Sequence, residues 1–347
     1  MQMDDIEIRG KFFNGIIERS KSIKKTIAFS DGNDIRLIHA LKYLSEINTS
    51  NYILIGSEKT ILENIKKARA KDSINFSVID PQNSKRRGEI KEIIAVSFKN
   101  RNKKIDSSLL ESNSLDTSYW AAILLKLNEA GCAVGGSISS TAALMRAAIN
   151  ILGLIGGKKY LSGAAFVEVP DCPYGLNGSF CLTDPAIIPR PSEDQLFDMT
   201  LSSYETAKLV FTAEPIIAML LYSTMSSAGS EEVERIRKVV ERIRAQRPEV
   251  KIEGEIQFDA AIVPEVAEIK VVKSASAGHA NVLVFPELNA ANIGYKIMQR
   301  LAKAEVCGTV IQGAARPFND LSRGCLVKDI ITLIAMTLLQ TEGMDNA

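Results

Sequence analysis

Short apolar runs of four or five residues alternate along the front of the chain with longer stretches whose apolar positions recur every three or four residues. Thr26–Phe29 is a strand-like run that ends in the turn Ser30-Asp31-Gly32. A helical pattern follows through Ile35, Leu37, Ile38, Leu41 and Leu44. Tyr52–Gly56 is a second strand, Ile61, Ile65 and Ala68 mark a second helix, and Phe76–Asp80 is a third strand. This βαβαβ rhythm predicts a mostly parallel sheet covered by helices, and such sheets bind ligands at the carboxyl ends of their strands.

Further along, Ile93–Phe98 reads as a strand and residues 107–130 as one helix. Cys132–Val134 is a short strand, after which Gly135-Gly136-Ser137 turns the chain into a helix running to about Leu152. Asp171–Pro191 carries four prolines and two glycines around a short apolar segment, which predicts a hairpin or an irregular excursion. Ser230 is the expected N-cap of a helix that carries Glu231 and Glu232 in its first turn. Val233, Ile236, Val239, Val240 and Ile243 give that helix an apolar face, and Pro248 stops it. Ala280–Phe285 and Val306–Ile311 read as buried strands, and an apolar helix ends near Gln340. No repeat period and no low-complexity tract stands out.

At 347 residues the length suggests about two domains. The 42 basic residues nearly cancel the 41 acidic ones, a balance that argues against bulk electrostatic binding of nucleic acid but leaves local anion sites open. The acidic start Met1-Gln2-Met3-Asp4-Asp5 lacks the apolar core of a secretory signal. The strongest apolar runs, Ile216–Tyr222 and Ile330–Leu339, fall short of the roughly 18 residues that cross a bilayer. Five scattered cysteines without a CxxC pair fit reduced thiols, so a cytoplasmic protein is expected. With only His39 and His279, the chain has little material for a histidine metal site or a Ser-His triad, and no metal is expected.

The stretch Asn319-Asp320-Leu321-Ser322-Arg323-Gly324-Cys325, followed by Asp329, carries the most chemistry. A Ser-Arg-Gly turn before a helix offers backbone N–H groups, a hydroxyl and a guanidinium to one anion. If the helix began at Ser322, that hydroxyl and the Asp329 carboxylate would lie about 10.5 Å apart along its axis. The turn is therefore expected to stay a loop, with the helix starting near Leu326. The alternative is plain capping by Asp320 or Ser322, with Arg323 solvated. Gly135 to Thr141, ahead of a helix containing Arg146, is a second anion candidate or another cap. Arg101 lies in the basic stretch Lys99–Lys104, and Arg300 ends an apolar helix that holds Tyr295 and Lys296. Cys325 has no neighbouring histidine to activate it as a nucleophile.

Together these segments resemble the phosphate acetyl/butyryltransferase family, and its acetyltransferase members in particular. Phe285-Pro286-Glu287-Leu288-Asn289-Ala290-Ala291-Asn292-Ile293-Gly294-Tyr295-Lys296 is similar to that family's FPDLNxGNxxYK stretch, and 319–324 is similar to its NDLSRG signature. Gly254–Ala261, Glu214-Pro215 and Tyr222-Ser223-Thr224 match as well, with looser matches at Ile27–Arg36, Ile53–Gly56 and Gly136–Arg146. The LSRG form of the turn favours acetyl over butyryl transfer.

The resemblance implies an α/β fold of two α/β/α sandwich domains with mostly parallel sheets. Domain I would comprise 1–156 and 311–347, and domain II, 157–310, would be inserted into it, with the active site in the interdomain cleft. It implies reversible transfer of an acetyl group between coenzyme A (CoA) and inorganic phosphate, with acetyl-CoA, CoA, phosphate and acetyl phosphate as partners. No tightly bound cofactor, nucleic acid or membrane is implied, and a homodimer is the usual assembly. Ser322, Arg323 and Arg300 would line the acyl centre, and Asp329 would take the thiol proton. Arg101 and Arg146 would hold the CoA phosphates, while Ser137, Thr141, Tyr295 and Lys296 would contact substrate. Alternatives are a butyryl or propionyl transferase and a non-catalytic acetyl-CoA-sensing module. The chain departs from the family pattern at Gly131-Cys132, Ser139, Ala143, Ala147, His279 and Ala291, positions that bear on acyl preference and on phosphate contacts.

Overall fold

The structure is a computed structural model that describes residues 8, 10–48, 50–225, 227–271, 274 and 276–345. The chain forms α1 (Lys11–Ser20), β1 (Thr26–Phe29), α2 (Ile35–Ser45), β2 (Asn51–Ile55), α3 (Glu58–Ala68), β3 (Phe76–Ile79), α4 (Arg87–Asn100), α5 (Ser107–Leu115), α6 (Thr117–Lys126), β4 (Cys132–Gly135) and α7 (Thr141–Ala147). It continues through a π-helical turn, Ala148–Leu152, into β5 (Ser162–Glu168), the single turn α8 (Tyr174–Asn177), β6 (Ser179–Thr183), α9 (Glu193–Val210), β7 (Ile216–Leu220), α10 (Glu231–Gln246) and β8 (Lys251–Ile256). The last elements are α11 (Phe258–Ile262), α12 (Pro264–Lys270), β9 (Val282–Val284), α13 (Leu288–Leu301), β10 (Glu305–Gln312), β11 (Phe318–Asp320) and α14 (Val327–Asp345).

Two compact units result: Met1–Gly157 with Ala314–Ala347, and Lys158–Gly313. The first holds a five-stranded sheet in the order β11-β4-β1-β2-β3, parallel throughout. One set of helices, α4, α6 and α7 with its π turn, packs together, and another groups α14 with α1 and α2. The sheet lies in between, and the core fills with Ile27, Phe29, Leu54, Trp120 and Val134. Burying each such side chain stabilises the fold by about 1.5–3 kcal/mol. The second unit holds six strands in the order β10-β5-β6-β9-β7-β8. β5 runs antiparallel to both β10 and β6, while β6, β9, β7 and β8 are parallel.

Two expectations need correction, and one strand is added. Ile93–Phe98 is not a strand but the second half of α4, where Ile90, Ile94 and Phe98 recur every four residues and are buried. Residues 107–130 are not one helix: the chain breaks at Asp116, whose carboxylate accepts from the Ser118 amide and caps α6. β11, a strand not expected from the sequence, takes in Asn319 and Asp320 and pairs with β4. Other expectations hold. The 171–191 stretch closes a β5–β6 hairpin through α8 before its Pro-rich loop. Ser230 caps α10, and α14 starts at Val327.

Candidate active site

In the first unit the chain runs from β1 outward to β2 and β3, then returns to place β4 on the other side of β1. The carboxyl ends of β1 and β4 therefore diverge at a topological switch point, where open parallel sheets form their ligand crevices. β11 adds a third strand end beside β4. Three loops meet there: Ser30–Asp34, Gly136–Ser140 and Leu321–Leu326.

Asp31 binds the second loop to the first. Its carboxylate accepts from the Ile138 amide at 3.1 Å, the Ser139 amide at 3.3 Å and the Ser137 hydroxyl at 3.5 Å, and also from the Ser139 hydroxyl. Gly136 lets the second loop pass close over Asp320. Its φ is +89°, and a Cβ there would lie 2.1 Å from Asp320 Oδ1. Ser140 then caps α7 through the Ala143 amide.

Arg36 joins all three loops. Its guanidinium donates to the carbonyls of Ser137 at 2.9 Å, Arg323 at 3.0 Å and Cys325 at 2.8 Å. The same fork grips Asp34, the N-cap of α2, at 2.7 Å. Burial pushes the Asp34 carboxyl up, but bonds from Arg36 and Ser137 outweigh it and hold the group below its ordinary value.

The Ser322 turn is fixed from behind in this way. Its Ser322 and Arg323 side chains are exposed. The amides of Ser322 and Arg323 donate to no acceptor among the described residues, whereas the Gly324 amide bonds the Ser322 hydroxyl at 3.3 Å. Asp329 sits half-buried in the first turn of α14, where the helix dipole favours a negative charge, and accepts from the Leu326 amide at 2.8 Å. The turn is a loop, as the spacing of Ser322 and Asp329 requires, and neither Asp320 nor Ser322 caps α14. Cys325 is buried and its thiol is pushed up to about 11, chiefly by burial, so it stays protonated and is a poor nucleophile.

Asp320, read from the sequence only as a possible cap, is buried at the end of β11. The Thr141 hydroxyl donates to its Oδ2 at 2.6 Å, and its Oδ1 has no hydrogen-bond partner among the described residues. Burial foremost, with Asp31 adding, pushes this carboxyl up to about 7 despite the Thr141 bond.

The two other candidate cations of the first unit, Arg146 and Arg101, lie near α7 and the π turn that follows it. Arg146 is exposed in its last turn. About one helical turn further on, Arg101 Nε donates to the Asn150 carbonyl at 2.9 Å, and its guanidinium lies against Gly153. Arg101 lines a pocket of about 470 Å³ with Lys126 and Arg316 and no acidic residue. This pocket sits at the amino ends of β4 and β11, so Arg101 is not grouped with the Ser322 turn. Burial, helped by the Arg101 charge, holds the Lys126 ammonium below its ordinary value.

Tyr295, Lys296 and Arg300 share α13 in the second unit. Tyr295 packs on the core of that unit and burial pushes its phenol up, the Lys296 ammonium lies 5.7 Å from its ring centre, and Arg300 is exposed. No cluster of three or more metal-ligating residues occurs among the described residues. Sequence reasoning missed Arg36 as a clamp. The only local signal was its place two residues after Asp34 at a strand's carboxyl end.

The family model described as "Phosphate acetyl/butaryl transferase" matches residues 11–338. A phosphate acetyltransferase of Acetivibrio thermocellus is 38% identical over 331 residues, covering 95% of this chain and 98% of its own. Another, from Thermoanaerobacterium thermosaccharolyticum, is also 38% identical, over 94% of this chain and 98% of its own. The crystal structure of a phosphotransacetylase from Streptococcus pyogenes superposes with a TM-score of 0.87 at 32% identity, covering 97% of this chain and 99% of that one. With a matched model that spans nearly its whole length, the chain belongs to the phosphate acetyl/butyryl transferase family.

Proposed function

We propose that the chain is a phosphate acetyltransferase, exchanging an acetyl group between CoA and inorganic phosphate. One observation carries the reading. Arg36 draws the carbonyls of Arg323 and Cys325 backward, so the Ser322 and Arg323 amides, the Ser322 hydroxyl and the Arg323 guanidinium remain for an anion at the strand ends. Such preorganised donors stabilise the carbonyl oxygen as it gains charge and the phosphate as it leaves.

In the direction of CoA acetylation, the thiol sulfur attacks the acetyl carbonyl carbon. The C–S bond forms, the C–O bond to phosphate breaks, phosphate departs with the bonding pair, and the thiol proton passes to Asp329. A free thiol near 8.5 and an aspartate near 3.9 make complete prior transfer uphill by about 6 kcal/mol. The proton therefore moves as the C–S bond forms, or the thiol is acidified by the cations around it. Transfer is direct, within one ternary complex. CoA is a substrate here, not a resident cofactor.

The order Thr141, Arg146, Asn150 along α7 and its π turn suggests the path of CoA, with its acyl end near the Ser322 turn and its phosphates at Arg146 and Arg101. Ser137 shapes the loop through Asp31 rather than facing substrate, and Thr141 acts through Asp320. Arg300, Tyr295 and Lys296 are the second unit's proposed contributors. Activity in the cytoplasm and assembly as a homodimer complete the proposal, and size-exclusion chromatography with light scattering tests the latter. The function itself is tested by phosphate-dependent release of CoA from acetyl-CoA, compared with propionyl- and butyryl-CoA. The acetyl thioester should give the highest kcat/KM, and a longer one outrunning it would move the chain to a different acyl group.

A further inference from the structure

Asp320 is unusual for a carboxylate. It is 4% exposed, and no described cation bonds it. One oxygen takes the Thr141 hydroxyl and the other is an orphan, packed so close to Gly136 that not even a methyl group would fit between them. An ionised group so placed would be a buried charge with a single donor, which proteins avoid by keeping the group neutral. The elements around it offer no compensation. β4 brings Val134 and Gly135, and α14 presents Thr337 and Gln340 to the neighbouring Asn319. Arg36 of α2 is spent on Asp34 and three carbonyls, while Asp31 of the β1 loop carries the same sign as Asp320. Asp329 of α14 bonds the Leu326 amide, and the Cys325 thiol is protonated.

The carboxyl nevertheless sits where position matters. β11 pairs Asp320 with Gly135, the Leu321 amide bonds the Gly135 carbonyl at 2.7 Å, and Ser322 follows one residue later. Through Thr141 the same side chain holds the first residue of α7. We propose that Asp320 is a positioning residue that, as a neutral carboxylic acid, keeps the start of α7 and the Ser322 turn in working register, and that its ionisation loosens both. This inference rests on the transferase reading for its activity readout only.

The ordinary value for an aspartate is 3.8 and burial carries this one to about 7, so the loosening falls at neutral pH. The folded chain keeps this proton where the unfolded chain loses it. The stability that the neutral form contributes is thus complete below pH 4 and lost as pH rises to about 7.

The test compares the wild-type chain with Asp320→Asn, which preserves shape and cannot ionise. Measured from pH 6 to 8, the ratio of wild-type to variant kcat/KM cancels titration of the thiol and of phosphate. It should fall about tenfold for one proton lost near the middle of that range. Thr141→Val removes the one donor to the ionised form and should move the fall to higher pH. Denaturation between pH 4 and 8 supplies a readout that needs no activity. The variant should gain stability relative to wild type as pH rises, and a chain inactive as a transferase would still show this. A ratio independent of pH, or one that rises, overturns the proposal, as does a stability difference that is flat with pH.

Discussion

Replacing Arg36 by methionine keeps much of the side-chain stem and removes every bond of the clamp. Three carbonyls lose a charged donor, at 2.8, 2.9 and 3.0 Å. Each charge-assisted bond contributes about 1.5–3 kcal/mol, and water replaces part of that where the turn is exposed. Asp34, whose side chain is 5% exposed, loses its one cationic partner among the described residues. Breaking a buried pair from one side costs about 3–5 kcal/mol, because the remaining charge stays desolvated. A net loss of about 4 kcal/mol is expected for Arg36→Met at pH 7, read by calorimetric or urea unfolding. Asp34→Asn in the same chain removes the stranded charge and should restore about half of that stability. It should not restore turnover, because the Arg323 and Cys325 carbonyls remain unheld and the turn no longer aims its amides outward. kcat for acetyl transfer in the double variant should stay at least about 100-fold down, the order that follows the loss of one preorganised donor. A stable double variant with near wild-type kcat would refute the role given to the clamp.

Other predictions follow from the same geometry. Asp329→Asn should lower kcat by about 10²–10⁴-fold with little change in KM, as expected for loss of a general base, and near-normal steady-state turnover would remove Asp329 from the mechanism. Gly136→Ala should destabilise the first unit by about 1–3 kcal/mol in chemical denaturation, since the position combines φ +89° with a contact of 2.1 Å to Asp320. In urea unfolding, the stability of Asp320→Asn relative to wild type should rise by about 4 kcal/mol from pH 4 to pH 8, from a shift of 3.8 to about 7. Arg146→Gln and Arg101→Gln should raise KM for CoA while leaving KM for phosphate near its wild-type value, in initial-rate assays that vary each substrate.

Much of the first unit was legible because its signals are local. Thr26–Phe29, Tyr52–Gly56 and Phe76–Asp80 are apolar runs of strand length, and in the second unit Ser230 with two glutamates likewise marks the start of α10 without outside help. The errors arose where a local signal was ambiguous or the partner was distant. Ile93–Phe98 is as apolar as a strand, and only the buried Ile90 upstream reveals the helical period. β11 is three residues long and polar in two of them. Asn319 belongs inside the sheet because Thr337 and Gln340, one helix later, satisfy its amide at 2.8 and 2.6 Å. The turn residues Ser322, Arg323 and Asp329 stand out by type and spacing. Arg36, 287 residues from Arg323, carries no such mark, since its role exists only once the sheet brings β1 beside β4 and β11. Asp320 was visible as a residue but not as a buried acid, because its burial depends on Gly136 passing over it.

The central claim is that this turn passes an acetyl group directly between sulfur and phosphate oxygen. The most direct measurement follows thiol release when purified protein meets acetyl-CoA with and without inorganic phosphate, with acetyl phosphate quantified in parallel. Release should require phosphate and yield one acetyl phosphate per CoA, and should collapse in Asp329→Asn. Acetyl-CoA binding without phosphate-dependent release, or release that leaves acetate instead of acetyl phosphate, would contradict it.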